Sequence, residues 1–246
     1  WGFADLRAGE GAEVIEAGGL FYDRYPTAGG QEWLMRIGPV EARPILIVPP
    51  LLEEMNRTRA FLATLMRLLA RRGFGCWLPD LPGTGESERA LEGCEWHEWR
   101  QAVSDASRFV AGEARQEPLV TSVRGGALLD GAAGDGPIWR FAPVEGSSLA
   151  RDLVRASMLK PEELRSARVE LAGYRLTDTL FAALHEAKPV GSERLRTVRL
   201  ESDRAEADLK VEGPALWRRS EPANSPELAE LLAADIARWS DQCGAS

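Results

Sequence analysis

Along the chain, short apolar runs without internal polarity alternate with longer stretches in which apolar residues return every three or four positions. Arg43 to Pro50, R-P-I-L-I-V-P-P, is apolar throughout after its first residue, the pattern of a strand covered on both faces in a parallel sheet. Behind it Phe61, Leu62, Leu65, Leu68 and Leu69 recur at helical spacing; Asn56 is placed to cap this helix, and Arg71-Arg72-Gly73 supplies a cationic last turn and a left-handed stop. Gly73 to Ser87, G-F-G-C-W-L-P-D-L-P-G-T-G-E-S, reads as a second buried strand entering a Gly/Pro-rich loop, and Trp96, Trp99, Val103, Ala106 and Val110 then form one helical stripe. Leu119, Val120 and Val123 make a strand that runs into Arg124-Gly125-Gly126, with a small-residue helix expected over Ala127, Leu128, Leu129 and Ala132. Pro137 to Pro143 is another short strand.

The flanks differ. Phe21-Tyr22 and Trp33 to Ile37 read as two short strands around the hairpin loop P-T-A-G-G-Q. Residues 144–190 break the alternation with a helix over Leu149 to Leu159, one strand over R-V-E-L-A-G-Y-R-L and a helix over Thr177 to Ala187, which suits a small cap over the carboxyl ends of the strands. R-L-R-T-V-R-L-E-S and A-D-L-K-V-E-G restore the strand pattern, and Ser225-Pro226 opens a last helix with Leu228, Leu231, Leu232, Ile236 and Trp239 on its buried face. The pattern predicts an α/β fold: one domain over residues 1–246, with a mostly parallel twisted sheet, right-handed crossovers and helices on both faces.

Composition narrows the function. A chain of 246 residues buries a large core without disulfides or metal. A formal charge of -8 and a pI of about 5.1 make its surface repel phosphate backbones, so no nucleic-acid partner is expected. The longest clean apolar run, Ile45 to Leu52, is interrupted by Pro49 and Pro50 and falls short of the roughly 18 residues needed to span a bilayer. Cys76, Cys94 and Cys243 have no C-x-x-C spacing, so neither a disulfide framework nor a metal site is expected, and a reducing cytoplasm fits. The chain starts at Trp1 rather than Met, which leaves room for an upstream segment or targeting signal.

The strand-turn-helix signal around Arg124 has the build of a nucleophile elbow, whose tightness demands small residues two before and two after the reactive position. With Gly126 at plus two, Ser122 is at minus two and Arg124 holds the point; with Gly125 at plus two, Thr121 and Val123 take those places. Neither Arg nor Val attacks a carbonyl. Making Ser122 the nucleophile puts Val120 and Arg124 at the two crowded positions. A base is equally hard to find. The two histidines, His97 and His185, read as surface residues, and the stretch Glu212 to Pro222, where the base would follow the last strand, contains none. Glu201 and Asp203 stand where an acid would, with nothing to orient.

Taken together, P-I-L-I-V-P-P-L-L-E-E-M-N, C-W-L-P-D-L-P-G-T-G-E-S and S-V-R-G-G-A-L-L resemble an α/β-hydrolase core: third strand with oxyanion loop, fourth strand with its D-x-P-G-x-G-x-S loop, and elbow. More specifically, E-E-M-N-R (Glu53 to Arg57), Arg124 in place of Ser, A-G-Y-R-L (Ala172 to Leu176) and P-x-x-W (Pro214 to Trp217) are similar to the second hydrolase-like family associated with the exosortase A system. The likeness runs from about Phe21 to Trp239 and departs at Ser122 and Gly125, where the family tends to have Gly and Ala. It implies an α/β-hydrolase fold with a small cap, and a setting of protein sorting and extracellular polysaccharide rather than a reaction.

In such a fold ligands bind beyond the carboxyl ends of the strands, which is where Leu51, Leu52, Glu53, Glu54, Asn56, Asp80, Glu86, Ser122, Arg124 and Gly125 should lie. Backbone N–H groups of Leu51 or Leu52 and of Gly125, beside the N-terminus of the expected helix, would join Arg124 in an anion pocket, with Glu53 or Glu54 gripping a cationic or hydroxyl part. The competing reading is that Arg124 only fills the vanished site, paired with Glu53, Glu54 or Asp80. Asp80 and Ser87 read as loop-forming acceptors, and Trp96, Trp99, Trp217 and Trp239 as core. Three functions follow: a non-catalytic protein binding a small acidic ligand or a protein partner, without cofactor; an ester or thioester hydrolase using Ser122 or a water activated by Glu53, Glu54 or Asp80; and a structural partner in a polysaccharide or sorting assembly.

Overall fold

A computed structural model of the chain describes residues 19–157 and 168–244. β1 (Leu20–Thr27) and β2 (Gly30–Ile37) form an antiparallel hairpin over Ala28-Gly29, longer than the two short strands expected because Pro26 and Gln31 pair as strand residues. β2 lies antiparallel to β4 (Phe74–Pro79), and every later pairing is parallel: β4 with β3 (Arg43–Val48), β3 with β5 (Leu119–Val123), then β6 (Ile138–Phe141), β9 (Leu195–Leu200) and β10 (Leu209–Val211). The eight-stranded order is β1-β2-β4-β3-β5-β6-β9-β10.

The absence of alternation in β3 has its cause in what covers it. Ile45 and Ile47 enter a core with Phe61, Leu62 and Leu65 of α1 (Glu53–Arg71) and Leu232 and Ile236 of α5 (Pro226–Gly244). Leu46 and Val48 enter the opposite core, with Trp99, Val103 and Val110 of α2 (Trp96–Ala114). Helices therefore close both faces. Ser225 accepts from the Leu228 N–H at 3.4 Å ahead of Pro226, and a reciprocal capping box of Glu95 and Glu98 starts α2.

Three expectations need correction. Asn56 does not cap α1, which begins three residues earlier at Glu53 behind Leu52 in a left-handed conformation (φ 55°), so Glu53 and Glu54 occupy the positive first turn. No α-helix follows the elbow: residues 124–128 and 130–133 form two 3-10 turns, because a sequence with Gly125, Gly126, Gly131 and Gly134 has little helix propensity and Asp130 must turn inward. The single strand expected at residues 168–176 is a hairpin, β7 (Arg168–Leu171) and β8 (Tyr174–Thr177), turned by Ala172 and Gly173 at φ 51° and 87°. With α3 (Gly146–Ser157) and α4 (Asp178–Glu186), this hairpin makes the insert between β6 and β9; the last two positions of the helix expected over Leu149 to Leu159 lie outside the described residues. Among the described residues no helix is long and apolar enough to cross a membrane.

Asp235 on α5, wholly buried, ties that helix to the sheet by accepting from Trp139 Nε1 (2.9 Å) and from Arg196 Nε and Nη2 (2.8 Å each). Burial alone would raise its carboxyl, but the Arg196 guanidinium and the indole N–H hold it below the usual carboxylate range. Asp235→Ala strands both donors, and urea unfolding should show a loss of about 3 kcal/mol.

Candidate functional site

β5 ends in Val123, and Arg124 turns the chain at φ 53°, a left-handed conformation that costs a non-glycine residue roughly 1–2 kcal/mol. The turn is tight enough that a Cβ on Gly126 would stand 2.5 Å from the Val48 carbonyl oxygen, so the plus-two position belongs to Gly126 and the apex to Arg124. Two more left-handed residues surround it: Leu52 after β3, and Ala142 (φ 48°) after β6.

The Arg124 guanidinium is met from four sides. Its Nε donates to Glu54 Oε1 at 2.8 Å, its Nη2 lies 2.8 Å from the same oxygen, and its Nη1 donates to the Ala142 carbonyl at 3.3 Å. Its face lies 4.4 Å from the centre of the Trp217 ring. Glu54 Oε2 then accepts from the Gly125 N–H at 3.2 Å. Side-chain exposures of 10% and 7% make this a buried pair. Burial pushes the Glu54 carboxyl up, opposed by the Arg124 charge and the Gly125 N–H.

The other expected residues part company. Glu53 pairs with Arg57 at 3.0 Å, and Arg57 Nη1 donates to the Trp217 carbonyl. Asn56 Nδ2 donates to the Tyr174 hydroxyl at 2.7 Å, tying α1 to the inserted hairpin. Leu51 and Leu52 are buried, and their carbonyls accept from the Glu54 and Met55 N–H groups. Asp80 accepts from the Glu86 N–H at 2.9 Å, while the Glu86 side chain is exposed near Arg59. Ser122 has no exposed surface; its hydroxyl donates to Asp130 Oδ2 at 2.7 Å, and Asp130 is held in a two-point pair by Arg140 (2.8 and 2.7 Å). Both histidines are exposed, His97 on α2 and His185 on α4. Asp203 after β9 pairs with Arg199 at 2.7 Å. Trp217, read from sequence as core, is the residue that the loop after β10 brings to Arg124, and its place in the stretch Glu212 to Pro222 was the available signal.

Comparison by structure finds esterases and a thioesterase. The chain is similar to Est1E from Butyrivibrio proteoclasticus described with ferulic acid bound (12% identity over 91% of this chain and 100% of that one, TM-score 0.61). It is also similar to alpha/beta hydrolase domain-containing protein 10 from mouse (15%, 91% and 99%, 0.56) and to the thioesterase domain from the curacin biosynthetic pathway (14%, 89% and 98%, 0.52). The chain has an α/β-hydrolase fold. No family model matches it, and no curated protein matches it by sequence.

Within the α/β-hydrolase fold the apex of the elbow carries the nucleophile and the N–H after it serves the oxyanion. Here a guanidinium holds the first place and the Glu54 carboxylate occupies the second. Two cavities share the first turn of α1. One of about 640 Å³ lies between α3 and the Trp217 turn and includes Glu53, Glu54 and Arg124. The other, about 300 Å³, lies toward the D-x-P-G loop and includes Leu51, Leu52, Asn56 and Asp80. Among the described residues no group of His, Cys, Asp and Glu is arranged to hold a metal.

Glu54→Ala should destabilise the fold by about 3–5 kcal/mol in urea titration, since it leaves a buried guanidinium unpaired. The double change Glu54→Leu with Arg124→Met should recover most of that loss; a double variant no better than the single one refutes the coupling. Burial pushes Asp80 up to about 6. The unfolded carboxyl titrates near 4, so the folded chain holds this proton longer, and the contribution to stability falls as pH rises from about 4 to about 6. Asp80→Asn keeps an acceptor for the Glu86 N–H and should remove that fall, which melting temperatures of both proteins across this range will show.

Proposed function

We propose that this chain is a non-catalytic member of the α/β-hydrolase superfamily that binds a small acidic ligand or a protein partner, a single domain in which the insert within residues 144–190 acts as a small cap. One observation carries the reading: the Glu54 carboxylate accepts from the Gly125 N–H and pairs with Arg124, so the N–H after the apex is taken and the apex itself carries no nucleophile. The fully buried Ser122 and the exposed histidines support it. We infer a setting of protein sorting and extracellular polysaccharide from the motifs similar to the exosortase-associated family. Its four motifs meet at one place: Glu54 on Arg124, Arg124 on Trp217, Glu53 on Arg57, Asn56 on Tyr174. Apart from Glu53 and Arg57, these partners come from distant parts of the chain, and the unpaired Cys76, Cys94 and Cys243 agree with a cytoplasmic location.

The second reading, an ester or thioester hydrolase with a non-standard site, draws on the neighbours, which include an esterase and a thioesterase domain. The assay that separates them is turnover of p-nitrophenyl acetate and butyrate together with labelling by a serine-directed fluorophosphonate. We expect no turnover above buffer and no label; labelling that vanishes in Ser122→Ala would overturn the binding reading.

A further inference from the structure

The larger cleft has a charge balance opposite to that of the molecule. Five arginines line it (57, 124, 151, 155 and 218) against three carboxylates (Glu53, Glu54 and Asp152), so the cleft is cationic by two charges in a chain of net charge -8. Each carboxylate already has its arginine: Glu53 has Arg57, Glu54 has Arg124, and Asp152 has Arg155 at 3.6 Å. The two that remain among the described residues are Arg151, which donates to the Ser147 carbonyl and the Ser148 hydroxyl, and Arg218, which makes no ion pair there. They come from different elements, α3 and the turn after β10, and face one cavity. The same lining includes the apolar side chains of Leu149, Leu153 and Trp217.

From this arrangement we infer that the cleft takes an amphiphilic anion, a phosphate or carboxylate head held by Arg151 and Arg218 and an apolar body laid against Leu149, Leu153 and Trp217. The inference deepens the binding function proposed above and rests on it. Both halves of the ligand are required by magnitude. Arg151 and Arg218 are exposed, and an ion pair in water gains only a few-fold in affinity, so a free inorganic anion is held weakly. Each methylene removed from water adds about fourfold, which makes the body the larger contribution and the head the selective one. A cavity of about 640 Å³ lies inside the range usual for small-molecule sites, and the head cannot use the oxyanion donor, because Glu54 is on it.

Isothermal titration of the full chain with octyl phosphate, octanoate, octanol and inorganic phosphate tests this. Octyl phosphate or octanoate should bind at least tenfold tighter than octanol and than phosphate, weakening as salt rises. Arg151→Gln with Arg218→Gln should lower that affinity about tenfold with the melting temperature unchanged. Equal affinity for octanol, or an affinity indifferent to the double variant, overturns the assignment, as does sedimentation with phosphatidic acid vesicles in preference to the soluble ligand. A protein that neither cleaves p-nitrophenyl esters nor binds these probes sinks the ligand class and leaves the non-catalytic reading standing; one that binds them and cleaves esters does the reverse.

Discussion

The Arg124 side chain keeps 10% of its surface exposed, and a guanidinium withdrawn that far from water costs several kcal/mol unless a carboxylate meets it. Everything else at this end of the sheet answers that demand. The elbow points the side chain at the first turn of α1, where Glu53 and Glu54 already sit because acidic residues are favoured at a helix N-terminus. Glu54 reaches the guanidinium with one oxygen; its second must also be satisfied, and the nearest donor is the Gly125 N–H. A single electrostatic requirement therefore places a carboxylate on the very donor that a hydrolase reserves for its oxyanion. On another side the guanidinium meets an aromatic face rather than an acceptor. The flat face of Trp217 suits the position, and the edge of Phe141, 5.9 Å from it, fixes the ring in turn.

How much of this was legible beforehand depended on whether the signal was local. The unalternating run of β3, the helical stripe of α2 and the small residues around Arg124 state their structures within a few positions, and a mostly parallel sheet followed from the β-α alternation. Asn56 misled because a good capping residue precedes an apolar stripe; the helix starts at Glu53 because left-handed Leu52 turns the chain there, which no propensity announces. The hairpin of β7 and β8 was hidden because its turn uses Ala172 at positive φ where Asn or Gly would have been a signal.

The site was legible as a set of residues and not as a set of partners. Glu54, Arg124 and Gly125 were named together, yet the choice among Glu53, Glu54 and Asp80 as the counter-charge needed three dimensions: adjacent residues on a helix face different ways, and only Glu54 turns inward. Ser122 shows the same limit. Its small size was read as room for the turn, whereas the hydroxyl serves the buried Asp130–Arg140 pair. Asp130 lies 8 positions from Ser122 and 10 from Arg140, which are register partners on β5 and β6, and no periodicity encodes that meeting.

Strain gives the arrangement its last constraint. Leu52, Arg124 and Ala142, all left-handed and none of them glycine, stand after β3, β5 and β6 and enclose the ion pair. In an enzyme such strain aims a reactive group, and selection for turnover maintains it. Here the Arg124 side chain bonds to the Ala142 carbonyl and to Glu54, two residues beyond Leu52, and so links the elbow to the strained residue after β6 and to the first turn of α1. The pair thus fixes the shape of the elbow between β5 and the turn that follows it, and the arginine-lined cleft opens beside it.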